Sequence, residues 1–314
     1  MTAAGDSRRA ATASPINTGR CVGLVGVGTM GVPVAANLIA AGFDVLGYRR
    51  SALPPAFLAQ GGRAASSPAD LAANCDVVLV ILPGPDDLIQ VALGQQGLTA
   101  GAHRDTVVVE MSTMPISVKE RCRDALADRG AAMLDAPISG MPAMVTSRTA
   151  SIFCSGDENT SAAVRPVLDA VTGRVEHLGA FGTGSVTKYV AHLLVAVNTL
   201  AAAEALGLAR RGGVDLDRLL EVLAGTVASS TALTVRGSRM AHGPFRPAPG
   251  SVATLHEGLE QVEDFARRLQ AHPPLLELAL DLYGKARAQG HADDDIAVMI
   301  DVLAAAHTDI EPAP

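Results

Sequence analysis

Residues 22–51 of this chain read VGLVGVGTMGVPVAANLIAAGFDVLGYRRS, and this stretch predicts the fold. The apolar run 22–25 predicts a strand, the glycines of 26–31 a tight turn, and the alanine-rich segment after them a helix. A second apolar run follows and ends at Arg49-Arg50. A G-x-G-x-x-G pattern indicates a dinucleotide site when it lies between a strand and a helix in this order.

The three glycines of the turn each have a separate physical role in such a site. Gly26 permits the tight bend, Gly28 lets the backbone approach a pyrophosphate, and Gly31 lets the helix pack closely on the strand. Thr29 and Met30 lie at the start of the helix, where free N–H groups and the positive end of the helix dipole attract phosphate. These five residues are therefore predicted to bind the cofactor.

The end of the second strand indicates which dinucleotide binds. An NAD site usually has Asp or Glu about 20 residues past the glycines, where it holds the ribose 2′-hydroxyl. The corresponding segment here is GYRRS at 47–51, which contains no acidic residue. The guanidinium groups of Arg49 and Arg50 and the hydroxyl of Ser51 suit a 2′-phosphate, so they predict NADP rather than NAD. The alternative interpretation is a solvated surface pair.

Composition limits the possible partners and compartments. A net charge of −7 without a basic run argues against nucleic acid or an anionic membrane surface as a partner. The 314 residues, 48% of them hydrophobic, leave room for two soluble domains. Four cysteines without a CxxC pair predict buried free thiols, no metal site and a cytoplasmic location. Residues 1–19 are small and polar, which predicts a disordered leader.

The pattern of apolar runs divides the chain into two domains. Up to about residue 182 strands alternate with helices, which predicts a doubly wound parallel sheet in a cofactor domain over 20–182. Further strands of that sheet are predicted at 76–82, 106–111, 131–134, 150–154 and 175–178. From residue 183 to 308 the pattern is all-helical, with helices predicted at 185–211, 215–224, 229–241, 252–270, 273–289 and 294–306.

The first of these helices is apolar on nearly every side. Such a helix either spans a membrane or is buried between domains. Lys188, His192 and Glu204 lie inside the segment. These features favour the buried interpretation and no contact with a membrane.

Polar and turn-forming residues follow three of the predicted strands. Ligands of doubly wound sheets bind beyond the carboxyl ends of the strands, which here carry Leu82-Pro83, Ser112-Thr113 and Ser139-Gly140. We therefore predict that Leu82, Pro83 and Thr113 line the cofactor site. The alternative is that these residues only form turns, where Ser, Gly and Pro are common.

A lysine lies one turn inside the apolar helix, in the segment GTGSVTK at 182–188. Burial of Lys188 is costly unless the amine is paired or used, and burial lowers its pKa toward values useful for proton transfer. His192 follows four residues later and hence lies on the same helix face. A lysine that extends to solvent past a core histidine is the alternative to a catalytic pair.

Four motifs together resemble the β-hydroxyacid dehydrogenases, of which 3-hydroxyisobutyrate dehydrogenase is typical. They are GLVGVGTMG at 23–31, MST at 111–113, DAPISG at 135–140 and GTGSVTK at 182–188, and the resemblance extends from about residue 22 to 300. It implies a Rossmann domain followed by a helical domain through which homodimers or homotetramers form. It also implies that Lys188 is the general acid/base, that Ser139 and Gly140 hold a substrate carboxylate, and that Arg50 selects NADP.

The chain departs from this family pattern at three places. His192 stands where the family usually has Asn, and Met141 replaces the second of two glycines, which narrows the space for substrate. Glu257-Gly258 stands where a Lys-Asp pair is expected. An imine reductase, a decarboxylating hydroxyacid dehydrogenase and a non-catalytic NADP-binding protein therefore remain as alternatives to a dehydrogenase of small β-hydroxy acids.

Overall fold

The computed structural model describes residues 20–305. The leader predicted at 1–19 lies outside the described residues. The chain divides into two compact units, Met1–Ser185 and Val186–Pro314.

The first unit contains a six-stranded parallel sheet in the order β3-β2-β1-β4-β5-β6. The strands are β1 (Cys21–Val25), β2 (Asp44–Tyr48), β3 (Arg63–Ala64), β4 (Val77–Val80), β5 (Val107–Glu110) and β6 (Ala132–Asp135). Its helices are α1 (Gly31–Ala40), α2 (Pro55–Ala59), α3 (Pro68–Asn74), α4 (Pro85–Leu93), α5 (Leu98–Gly101), α6 (Ile116–Ala127), α7 (Pro142–Thr146) and α8 (Glu158–Val171). This order confirms the predicted doubly wound Rossmann sheet.

The central strands are apolar throughout because both faces of the sheet are covered. In β4, Val77 and Leu79 pack into one buried cluster, and Val78 and Val80 pack into another on the opposite face. A half-solvated strand would need alternating polar residues, whereas a strand covered on both sides needs a continuous apolar run. The local sequence therefore sufficed to identify these strands.

The strands predicted at 150–154 and 175–178 do not extend the parallel sheet, so this part of the prediction is wrong. They belong to a separate three-stranded sheet of β7 (Ile138–Ser139), β8 (Ser151–Cys154) and β9 (Arg174–His177). The short α7 connects β7 to β8, and a short connection reverses the chain into antiparallel pairing. The longer α8 allows β9 to pair parallel with β8.

The second unit is helical, as predicted. The long helix α9 (Thr183–Arg211) begins in the last residues of the first unit and continues into the second. It is followed by α10 (Leu216–Leu223), α11 (Thr231–His242), α12 (Val252–Arg268), α13 (Pro274–Ala286), short turns at Arg287–His291 and Ile296–Val298, and α14 (Met299–Ala305). The side chain of Asp215 accepts the N–H of Arg218 and so caps α10.

Within residues 20–305, α9 is the one helix whose length and composition would allow it to cross a membrane. About a third of its most apolar 18-residue window, 33%, is buried in the protein. Val190, Leu194 and Leu208 lie on one side of the helix and are exposed by 54%, 55% and 74%. The helix therefore has an apolar stripe that residues 20–305 leave exposed.

The expectation of free thiols is wrong for two of the four cysteines. Cys21 and Cys75 form a disulfide, whereas Cys122 and Cys154 are free and buried. Cys21 begins β1 and Cys75 lies two residues before β4, and these strands are neighbours in the sheet. Their pairing brings the two Cα atoms to 5.0 Å, although 54 residues separate them in sequence. The cytoplasmic location stays a prediction.

Candidate active site

The glycine turn after β1 is built as the sequence predicted, because two of its glycines have no room for a side chain. Gly26 has a φ of +94°, and a Cβ there would lie 1.8 Å from the carbonyl oxygen of Ile81. A Cβ on Gly31 would lie 2.2 Å from the carbonyl oxygen of Gly26. The turn and the close contact between α1 and β1 thus require glycine at both positions.

The middle glycine is different, because a Cβ on Gly28 would meet no atom within 4 Å. The N–H of Gly28 is used inside the turn, where it donates to Gly26 at 2.8 Å. Among the described residues, no backbone oxygen accepts the N–H groups of Thr29 and Met30. Open space beside unused N–H groups at the start of α1 fits the pyrophosphate of NAD(P).

The candidate 2′-phosphate site lies at the end of β2. Arg49, Arg50 and Ser51 are all exposed there. The guanidinium of Arg50 lies 2.9 Å from the carboxylate of Asp87, but its side chain is 83% exposed. An exposed pair of this kind contributes about 0–1 kcal/mol, so a phosphate can readily displace the carboxylate.

The ends of β4 and β5 are joined by a side-chain hydrogen bond. The hydroxyl of Ser112 accepts the backbone N–H of Leu82 at 2.8 Å. Leu82 and Thr113 are half-buried beside this bond, and Pro83 is exposed. The structure therefore brings the strand-end residues predicted to line the cofactor site close to one another within the first unit.

A buried ionic cluster lies at the ends of β5 and β6, and sequence reasoning missed it. The Lys119 amine lies 2.5 Å from the Glu110 carboxylate and 2.7 Å from that of Asp135, and all three side chains are fully buried. The amine also donates to the backbone oxygen of Ser112 at 2.7 Å. Burial alone would lower the pKa of Lys119, but the two carboxylates raise it above its usual value. A glutamate at the end of the apolar run TVVVE was the available signal.

The same cluster holds the start of α9. Asp135 accepts the backbone N–H of Ser185 at 2.8 Å and its hydroxyl at 2.7 Å. A Cβ on Gly184 would lie 2.1 Å from the carbonyl oxygen of Phe153, so this glycine permits the close approach. Gly184 and Ser185 of the GTGSVTK motif are thereby explained by how α9 begins.

The predicted carboxylate-binding segment lies at the edge of the smaller sheet. Ser139 pairs with Ser151 across β7 and β8 and is half-buried. A Cβ on Gly140 would lie 2.9 Å from that of Ala150, so glycine is needed for β8 to approach. Met141, also half-buried, precedes α7 as its N-terminal cap residue.

In the second unit, Lys188 is a buried amine without a counter-ion. Its side chain is 8% exposed, and among the described residues no hydrogen bond or ion pair holds the amine. Burial lowers the pKa of Lys188 to about 8. Lys119, which is fully buried, has two carboxylates and a raised pKa. The two buried amines therefore differ in that Lys119 has carboxylate partners and Lys188 has none among the described residues.

His192 lies one turn further along α9. Burial, together with the charge of Lys188, lowers the pKa of His192 to about 3, and the backbone of Gly258 acts slightly in the opposite direction. The imidazole is therefore neutral at physiological pH. Its buried Nδ1 has no hydrogen-bond partner of good geometry among the described residues.

A parallel sheet in this order, with an open glycine turn at the end of its first strand, defines the class of dinucleotide-binding Rossmann proteins. Residues 21–179 match the NAD-binding domain of 6-phosphogluconate dehydrogenase, and residues 182–303 match the NAD-binding region of NADP-dependent 3-hydroxyisobutyrate dehydrogenase. The chain belongs to the β-hydroxyacid dehydrogenase family and is an NAD(P)-dependent dehydrogenase that acts on CH–OH groups.

Individual relatives agree with this assignment. The chain is 33% identical to L-threonate dehydrogenase of Cupriavidus necator, over 90% of its own length and 96% of that protein. It is 30% identical to NAD-dependent L-serine dehydrogenase of Pseudomonas aeruginosa, over 88% and 96%. A Mycobacterium tuberculosis 3-hydroxyisobutyrate dehydrogenase, solved with L-serine, superposes with a TM-score of 0.81 at 29% identity, covering 90% of this chain and 99% of that one.

Proposed function

We propose that the protein oxidises the hydroxyl group of a small hydroxy acid with NADP, and reduces the corresponding carbonyl, with Lys188 as the general acid/base. The observation that carries this proposal is the buried amine of Lys188, which has no counter-ion among the described residues and a pKa of about 8. A general acid/base works best when its pKa is near the operating pH.

The proposed mechanism divides the work among the side chains of the chain. When bound, NADP⁺ would supply the hydride acceptor for oxidation, and NADPH would supply the hydride donor for reduction. During oxidation, the neutral amine of Lys188 accepts the hydroxyl proton of the substrate, and during reduction the ammonium returns a proton to the developing alkoxide. The neutral imidazole of His192 hydrogen-bonds the substrate. We assign the substrate carboxylate to Ser139 and the N–H groups near Gly140.

The remaining predicted residues have positional roles in this proposal. Thr113 would contact the nicotinamide ribose, and Leu82 and Pro83 would border the cofactor. Met141 narrows the space beside the carboxylate. The relatives named above act on L-threonate, L-serine and 3-hydroxyisobutyrate, all small hydroxy acids, and this supports a substrate of the same class.

The direct test is a panel of these three acids with NADP⁺ and with NAD⁺, followed at the absorbance band of reduced nicotinamide. We expect turnover of at least one acid, faster with NADP⁺. Turnover of cyclic imines without any acid would instead assign an imine reductase. Release of CO₂ in step with nicotinamide reduction would assign a decarboxylating enzyme.

The cofactor preference is tested by Arg50→Ala. Loss of a charge-assisted contact to the 2′-phosphate should raise KM for NADP⁺ by about 10-fold or more, because such contacts contribute about 1.5–3 kcal/mol. KM for NAD⁺, which lacks that phosphate, should stay nearly unchanged.

Arg63→Ala is the matched control for this variant, because Arg63 is an exposed arginine paired with Asp44 at the edge of the same sheet. We expect neither KM to change in it. Equal increases of both KM values in Arg50→Ala would contradict a role in recognising the 2′-phosphate.

We also propose that a second copy of the chain covers the apolar stripe of α9. Val190, Leu194 and Leu208 repeat on one side of the helix and are more than half exposed. A continuous apolar helix face of this kind is typical of a protein interface. A homodimer or homotetramer formed through the helical unit accounts for it.

A further inference from the structure

Two departures from the family pattern, far apart in sequence, meet in the second unit. A Cβ on Gly258 of α12 would lie 2.3 Å from Nδ1 of His192 and 2.7 Å from its Cε1. Real Cβ atoms essentially never approach another atom to under 3.0 Å. The imidazole therefore occupies the space that any side chain at position 258 would need.

No backbone requirement explains a glycine at this position. Gly258 is buried inside the 17-residue helix α12, and it does not have a positive φ. A glycine inside a helix costs about 1 kcal/mol relative to alanine. Among the described contacts, the feature that offsets this cost is the space that Gly258 leaves for the ring of His192.

Close packing against Gly258 accounts for where the ring lies. Its buried Nδ1 lacks a hydrogen-bond partner of good geometry among the described residues, and the backbone of Gly258 raises the pKa of the imidazole only against the larger lowering by burial. One turn earlier on α9, the ring of Tyr189 contacts that of Phe265 on α12 at 5.4 Å between centroids. These two contacts fix α9 against α12, with Lys188 one turn away from His192 on the same helix.

The orientation of the ring leaves one nitrogen for another partner. Nδ1, Cε1 and Cγ are the ring atoms nearest to the Cβ position of Gly258. Nε2 is on the opposite side of the imidazole. A neutral ring in this orientation offers an uncharged hydrogen-bonding atom beside a proton-transferring amine.

We propose that Gly258 is a positioning residue for His192, and that this pair selects hydroxy acids with a further hydroxyl group over alkyl-substituted ones. The inference rests on the proposed function and deepens it. By leaving room for the ring, Gly258 places Nε2 where it hydrogen-bonds the additional hydroxyl of the substrate. A site built to bind a hydroxyl rejects the analogue that lacks it.

The test is a cycle of four proteins: wild type, Gly258→Ala, His192→Ala and the double variant. Each is assayed with L-threonate and with 3-hydroxyisobutyrate. Because small misplacements can cost up to about 10²-fold, we expect Gly258→Ala to lower kcat/KM for L-threonate by about 10-fold or more. In the His192→Ala background the same change should alter it by less than about 2-fold. The preference for L-threonate should fall in all three variants.

Gly207→Ala is the matched control, because Gly207 is a helical glycine of α9 whose Cβ would meet nothing within 4 Å. It should leave kcat/KM and selectivity unchanged. NADP⁺ binding should be equal in all five proteins.

Three results would overturn the inference. Equal losses of kcat/KM from Gly258→Ala in both backgrounds would show that Gly258 acts without His192. Unchanged selectivity would show that the pair does not set the substrate preference, and in both cases the proposed function remains. Absence of turnover by the wild type would remove the proposed function and the inference with it.

Discussion

Replacing Lys188 with methionine is expected to lower kcat by about 10²-fold or more. The substitution removes the group proposed to accept the substrate's hydroxyl proton during oxidation and to return a proton during reduction. NADP⁺ binding should be retained, since the glycine turn of the first unit is untouched. Steady-state kinetics together with cofactor titration measure the two effects separately. Near wild-type kcat in this variant would contradict the assignment of Lys188.

The same variant is expected to be more stable than the wild type at neutral pH. Lowering the pKa of Lys188 from 10.5 to about 8 corresponds to about 3 kcal/mol of destabilisation while the amine is charged. The unfolded chain binds this proton more tightly, so the destabilisation is complete below pH 8 and decreases as the pH rises from about 8 to 10.5. Methionine has similar length and no charge. Thermal unfolding at pH 7 should therefore show a higher Tm, and a lower one would contradict this argument.

The pH dependence of the wild type follows from the same pKa. In the proposed mechanism oxidation uses the neutral amine of Lys188, so its rate should rise through pH of about 8. Reduction requires the ammonium, so its rate should fall above the same pH. His192, with a pKa of about 3, does not titrate in this range.

Replacing Lys119 with methionine is expected to have the opposite effect on stability. The substitution leaves the carboxylates of Glu110 and Asp135 buried without their cation, which costs about 3–5 kcal/mol. This cost is a large part of the typical free energy of unfolding of a domain, which is about 5–15 kcal/mol. We expect a greatly lowered urea midpoint or loss of soluble protein.

Arg165→Met provides the comparison, since Arg165 forms an exposed pair with Asp169 in the same unit. Exposed pairs contribute about 0–1 kcal/mol, so this variant should unfold almost like the wild type. Equal free energies of unfolding for Lys119→Met and Arg165→Met would contradict a stabilising role of the buried Lys119 cluster.

The features that the sequence predicted correctly are those that depend on near neighbours. The turn at Gly26 and Gly31 follows from a few residues, and the strands covered on both faces have continuous apolar runs. These patterns sufficed for the sheet, the helical unit and the dinucleotide turn.

The features that were missed depend on residues far apart in the chain. Cys21 and Cys75 become neighbours only through the pairing of β1 with β4. Lys119 meets Glu110 and Asp135 only after three separate elements have packed. His192 and Glu257-Gly258 were noted singly as departures, but their contact across two helices has no signature in the sequence.

The glycine turn shows that one motif can record two separate requirements. Gly26 and Gly31 are needed by the polypeptide itself, since any side chain there would strike the backbone. Gly28 faces open space, so the protein without cofactor does not require glycine there, whereas a bound dinucleotide does. Substitution of Gly26 or Gly31 is therefore expected to impair folding of the protein even without cofactor. Substitution of Gly28 is expected to leave folding intact and to weaken dinucleotide binding, so the same turn contains glycines required for folding and a glycine required for recognition.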